Sequence, residues 1–185
     1  INGSGLNGCV NDAILIYNLF KSFSTLNKND WLEPNLFLNE QAQLDNIKDT
    51  LQQNTFSKII FFYSGHGYSS RLAFSSAKNI YQFISNHINQ DIDITFILDC
   101  CHSGSFPILT DIPKIKKADV ISACTANQSS TESLSEDCHN HFPFKKPIYS
   151  KSTSYITGLF TFNFFNIIRK KNISIFDDFY SDSIW

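Results

Sequence analysis

The stretch "DITFILDCCHSG", Asp93 to Gly104, is an apolar run that stops abruptly at a carboxylate, two adjacent cysteines and a histidine. Its apolar residues do not alternate with polar ones, which describes a strand buried on both faces, as in a parallel sheet. "KIIFFYSGHG", Lys58 to Gly67, has the same shape, a run that breaks at Ser, Gly, His and Gly. "ADVISAC", Ala118 to Cys124, supplies a third such run. Between the first two, Ile80, Phe83, Ile84 and Ile88 fall at helical spacing and predict a crossover helix. Working outward, Val10, Ala13, Ile14, Tyr17, Leu19 and Phe20 predict a first helix over about 12–24, with Asn11 or Asp12 placed to cap it. "PNLFL", Pro34 to Leu38, reads as a short strand, and 40–53 as an amphipathic helix carrying Ala42, Leu44, Ile47 and Leu51. A polar stretch over about 127–154 reads as a mobile loop, and "YITGLFTFNFFNIIRKK", Tyr155 to Lys171, as a last helix ending in basic residues. Strands alternating with helices predict an α/β domain with a mostly parallel central sheet and helices on both faces, in which ligands gather at the carboxyl ends of the strands.

The chain has 185 residues, 42% of them hydrophobic and 17% charged, which fits a single domain over 1–185 with a sizeable core. A net charge of −2 gives no electrostatic footprint for nucleic acid or anionic lipid, so neither is an expected partner. Apolar runs fall well short of the roughly 20 residues that cross a bilayer, and no signal peptide opens the sequence. Five cysteines without regular spacing do not describe a disulfide framework. Reduced thiols in the cytoplasm are the expectation. Met is absent even at position 1, which makes a piece of a longer chain the expectation.

His66 lies three residues beyond the end of one predicted strand, and Cys101 three beyond the end of another. If these strands are parallel neighbours, both side chains emerge at one edge, about a strand spacing apart. A thiol beside an imidazole is a nucleophile arrangement: the thiolate attacks a carbonyl carbon and the histidine protonates the leaving amine. Glycine at 65, 67 and 104 leaves room for a substrate backbone, and the N–H groups of Gly67 and Cys101 are candidate oxyanion donors. Plainer readings stand beside these. Cys101 could be an inert buried thiol, Asp12 a helix N-cap, and Asp99 a turn former that accepts backbone N–H bonds. Cys124 reads as core, and Cys9 as packing at the first helix. Cys138, His139 and His141, or Cys100, Cys101 and His102, raise zinc, but no C-x-x-C pair accompanies them.

Five stretches resemble the metacaspases, within the caspase-like cysteine peptidases: "GCVNDA" (Gly8 to Ala13), "FFYSGHG" (Phe61 to Gly67), "DCCHSG" (Asp99 to Gly104), and more loosely "ISACTANQSSTE" (Ile121 to Glu132) and "GLFTF" (Gly158 to Phe162). They occur in family order over nearly the whole chain. The resemblance implies the caspase–haemoglobinase fold, a three-layer sandwich, with endopeptidase activity, His66 as general acid/base and Cys101 as nucleophile. It also implies a primary pocket lined by Asp12, Asp99 and Ser64, hence cleavage after Arg or Lys. True caspases hold an aspartate with arginines, and this chain has only Arg71 and Arg169. Family members cut themselves in a loop like 127–154, which makes Lys145, Lys146 and Lys151 self-cleavage candidates. Many bind calcium through acids after the histidine motif and shortly after the nucleophile. Here those regions hold only Asp91, Asp93 and Asp111, so no metal or other cofactor is expected. The opening "INGSGL" falls where a family member leaves its first core strand, and a sheet without that strand would have an exposed inner edge. Partners are expected to be polypeptides with basic residues, and the state a monomer. The alternative is a catalytically inactive caspase-like scaffold or regulatory binding protein.

Overall fold

The computed structural model describes residues 6, 8–26, 31–135 and 155–171. Its central sheet consists of β1 (Lys58–Ser64), β5 (Ile92–Asp99) and β6 (Ile115–Ser122), all parallel, in the order β1-β5-β6. Helices α2 (Leu44–Gln53) and α3 (Ala77–His87) cover one face, while α1 (Cys9–Leu26) and α4 (Leu159–Lys171) cover the other. This is the α/β architecture the apolar runs predict. The side-chain period of two explains how continuous runs serve both layers. In β5, Ile94, Phe96 and Leu98 join the core beneath α2 and α3, and Ile97 joins the core beneath α1 and α4. In β1, Ile59, Phe61 and Tyr63 face the first core, and Ile60 and Phe62 the second.

Short strands β2 (Gly67–Tyr68), β3 (Arg71–Leu72) and β4 (Ser75–Ser76) form an antiparallel arm directly after His66, which the sequence reading did not anticipate. Strands of two residues leave no hydrophobic period to detect. The arm ends at Ser76, whose hydroxyl caps α3 by accepting the Asn79 N–H at 3.2 Å.

Four expectations need correction. Helix α1 begins at Cys9, and the Asp12 N–H makes its first-turn bond to the Gly8 carbonyl at 2.8 Å, so Asp12 sits inside the first turn and is not its cap. Residues 34–38 pair with no strand among the described residues. They run as irregular chain into a 3₁₀ turn at Asn39–Gln41, and α2 starts only at Leu44. Leu36, Phe37 and Leu38 are instead half buried along a groove of about 880 Å³ that runs beside β1, one of the two border strands of this sheet among the described residues. The expected loop over 127–154 contains β7 (Glu132–Ser135), and the expected last helix begins with β8 (Tyr155–Gly158), its antiparallel partner. β-branched Ile156 and Thr157 favour a strand, and the helix starts only beyond Gly158. Lys145, Lys146, Lys151 and the Cys138, His139, His141 group lie outside the described residues. No helix among the described residues is long and apolar enough to cross a membrane.

Phe96 is fully buried at the junction of Phe61, Tyr81 and Phe106, with ring centroids at 5.4, 5.0 and 5.0 Å. Denaturant titration of Phe96→Ala should show a loss of about 3–5 kcal/mol, whereas truncation of exposed Ile108 should stay within about 0.5 kcal/mol. Equal effects at the two positions would contradict this placement of the core.

Candidate active site

The parallel register sets the site. Ser64 at the end of β1 pairs with Asp99 at the end of β5, and the Gly65 N–H donates to the Asp99 carbonyl at 3.2 Å. His66 and Cys101 each follow two residues beyond that matched pair. The two chains then remain in contact. A Cβ on Gly67 would collide with the Cys101 carbonyl oxygen and come within 2.6 Å of the Cys100 sulfur, so only glycine permits this approach. His66 and Cys101 are both half buried, and the Cys101 Sγ lies 4.0 Å from the Ser130 carbonyl oxygen.

The vicinal thiols differ in environment. Cys100 points into the core with 2% exposure, and burial pushes its thiol up to about 12, with the nearby Asp99 charge adding to the effect. Cys101 begins the turn, in which His102 takes a left-handed φ of 57° and its Nδ1 lies 2.9 Å from the Ala126 carbonyl oxygen. A left-handed residue here turns the chain sharply away from the sheet. Cys124, expected as core, is half buried, with its sulfur 3.4 Å from the Cys100 carbonyl and 3.2 Å from that of Gln128. Cys9 opens α1, and burial pushes its thiol to about 12.

Behind the rim, Asp12 and Asp99 converge from different elements. Both carboxylates lie against Gly158: a Cβ there would meet the Asp99 carboxylate and come within 3.0 Å of Asp12 Oδ2. Exposures of 1% and 5% shield them from water, so their oxygens must be satisfied internally. Ser64 Oγ donates to Asp12 Oδ2 at 2.7 Å and the Gly158 N–H to Oδ1 at 2.9 Å. Ser130 Oγ donates to Asp99 Oδ1 at 2.6 Å, and Thr161 donates to Oδ2 through its N–H at 3.0 Å and its hydroxyl at 2.7 Å. Asp99 therefore does accept a backbone N–H, but from α4 rather than from its own turn. The ion pairs seen among the described residues, Lys21–Glu33, Lys116–Asp91 and Lys117–Asp119, all lie elsewhere. Burial and the neighbouring Asp99 charge push the Asp12 carboxyl well above the usual carboxylate range.

Glu132 is a third acid, for which the sequence alone indicates no role. It pairs directly with Gly158 across the β7–β8 hairpin, accepts the Gly8 N–H at 2.8 Å, and adds to the field on Asp12. Gly158, Ser130 and Thr161 were likewise present in the quoted motifs, with nothing in residue type or spacing to show that they serve the two aspartates.

Asp91 is exposed and paired with Lys116 at 3.7 Å, and Asp111 is exposed. No group of three His, Cys, Asp or Glu lies together among the described residues.

A parallel sheet carries His66 and Cys101 just beyond the ends of two neighbouring strands, with the Asp12 and Asp99 carboxylates close to those ends. The match to known families agrees: the caspase domain covers residues 2–177, and the chain belongs to that family. No curated protein matches the chain.

Two predictions follow from the acids and thiols. An acid whose carboxyl is raised in the folded state is bound more tightly to its proton there than in the unfolded chain. Its contribution is complete below the unfolded value of about 3.8 and is lost as pH rises toward the raised one. Asp12→Asn keeps an acceptor for Gly158 and a donor for Ser64, so its melting temperature relative to wild type should rise with increasing pH. A difference that is flat or falls with pH would show that Asp12 carries no raised carboxyl. Iodoacetamide mapping should find Cys9 and Cys100 in the native protein roughly a thousandfold slower than in the unfolded chain, because alkylation needs the thiolate. Rapid native labelling of Cys100 would overturn its burial.

Proposed function

We propose that this chain is a cysteine endopeptidase of metacaspase type, cleaving after Arg or Lys, with Cys101 as nucleophile and His66 as general acid/base. The observation that carries this reading is the Ser64–Asp99 register, from which the histidine and cysteine arms leave with equal offset and remain in contact at Gly67. In the reaction, the Cys101 thiolate attacks the scissile carbonyl carbon and the N–H groups of Gly67 and Cys101 receive the developing oxyanion. The C–N bond then breaks as the His66 imidazolium protonates the departing amine. Water, deprotonated by His66, hydrolyses the thioester and restores the thiol.

A preference for basic side chains is supported by Asp12 and Asp99, buried carboxylates without a cationic partner in the ion pairs seen, with Ser64 as a polar wall and Glu132 half buried beside them. In a desolvated site a guanidinium gains far more from a carboxylate than it would in water. Because the two aspartates are shielded, a substrate side chain reaches them by displacing the shell formed by Gly158 and Thr161. Polypeptides with basic residues are the proposed substrates. The chain's own Lys145, Lys146 and Lys151 are among them, which makes self-processing part of the proposal. Free thiols at Cys9, Cys100, Cys101 and Cys124 suit a reducing cytoplasm, and a monomer suffices because both reactive groups come from one chain.

Fluorogenic peptides ending in Arg or Lys should be turned over, and peptides ending in Asp should not. Cys101→Ala should reduce kcat/KM by roughly a thousandfold or more while leaving the melting temperature near wild type. Purified Cys101→Ala should also remain uncut where the active protein is trimmed. Undiminished turnover in that variant would remove Cys101 from the chemistry, and absence of turnover together with absence of Cys101 labelling in the wild type would favour an inactive scaffold.

A further inference from the structure

The chain leaving the Cys101 turn crosses from Phe106 to Lys114 with neither helix nor strand, yet it is pinned at short intervals. Phe106 stacks into the core against Phe96 and Tyr81, with centroids at 5.0 and 6.2 Å, and Leu109 and Ile112 pack on the same cluster. Beside these apolar anchors two carbonyls of the segment are caught by hydroxyls of α3. Tyr81 Oη donates to the Pro107 carbonyl at 3.3 Å, and Ser85 Oγ to the Pro113 carbonyl at 2.6 Å. Lys114 Nζ reaches back to the Ile88 carbonyl at 2.7 Å.

Tyr81 and Ser85 are four apart, one above the other on a single face of α3. Both are buried, at 0% and 4% exposure, so a hydroxyl at either position costs stability unless it is bonded. The bonds found for them go to this one segment. At the other end of the turn, Ser105 Oγ donates to the His102 carbonyl at 2.7 Å and accepts the Ser70 N–H at 3.0 Å. Ser70 belongs to the arm that follows His66, so the turn bearing Cys101 is held both toward the histidine and toward α3.

We propose that Tyr81 and Ser85 are positioning residues for the Cys101 nucleophile: their buried hydroxyls hold the segment that leaves its turn, a task for which this chain uses no divalent cation. The inference rests on the reading of Cys101 as nucleophile. The acids near this segment, Asp91, Asp93 and Asp111, do not assemble a calcium donor set, and the fixing bonds are those already described.

Wild type, Tyr81→Phe, Ser85→Ala and the double variant are assayed with an Arg-ending peptide in EDTA and in excess calcium, beside hydrogen exchange of residues 106–114. Wild-type kcat should agree within about twofold between the two buffers, and the double variant should lose about tenfold in kcat with little change in KM, unrestored by calcium. Exchange over 106–114 should be slow in EDTA, unchanged by calcium and faster in the double variant. Calcium activation of the wild type, calcium-induced protection of 106–114, or a folded double variant with unaltered kcat and exchange would overturn the proposal. Should the double variant not fold, Tyr81→Phe alone, which removes one oxygen and keeps the ring, carries the same comparison. A wild type that turns over no peptide defeats the peptidase reading, and the exchange data then decide the role of Tyr81 and Ser85 separately.

Discussion

Parallel pairing of β1 with β5 is the constraint on which the rest of the molecule depends. Seven consecutive residue pairs run from Lys58 opposite Asp93 to Ser64 opposite Asp99 without a bulge. A slip of one residue would exchange the two cores, because Ile94, Phe96 and Leu98 would turn toward α1 and α4 while Ile97 turned toward α3. Burial on both faces therefore fixes the register strongly, and the register in turn fixes where the two polar turns leave the sheet. The contact between Gly67 and the Cys100–Cys101 backbone is its consequence.

The same strand ends collect the charge. Ser64 holds Asp12 from α1, and Asp99 itself is held by Ser130 and by the start of α4. Donors from three separate parts of the chain, the end of β1, Ser130 and the β8–α4 junction, thus converge on two carboxylates with low exposure. Burying such groups is costly unless each oxygen is bonded, and here each is. The base of the β7–β8 hairpin completes the arrangement, since Glu132 and Gly158 face each other across it and each contacts the first turn of α1 or its entry. The rim that carries His66 and Cys101 and the acids behind it are thereby built from a common set of strand ends.

The central strands were legible because continuous apolar runs ending in Gly-rich polar turns have few other readings, and the crossover helix α3 because its spacing is regular. His66 and Cys101 could be placed on one edge by counting from the strand ends. The extended reading of 34–38 failed because local composition resembles a strand, but a strand also needs a neighbour to accept its hydrogen bonds. Tyr155 to Gly158 were absorbed into a helix because their pairing partners, Glu132 to Ser135, lie 20 to 26 residues earlier, beyond any local period. For the same reason the places of Glu132, Ser130 and Thr161 beside the two aspartates were invisible: they come from contacts at long separation. Asp12 was open between cap and pocket from sequence, and only the start of α1 at Cys9 removes the cap.

The most direct test is a crystal structure of the protein after reaction with a peptidyl chloromethyl ketone ending in arginine. The account predicts a thioether at the Cys101 sulfur, the His66 imidazole beside it, and the arginine guanidinium within about 4 Å of a carboxylate of Asp12, Asp99 or Glu132. An adduct on Cys9 or Cys124, or an arginine directed away from these acids, would contradict it.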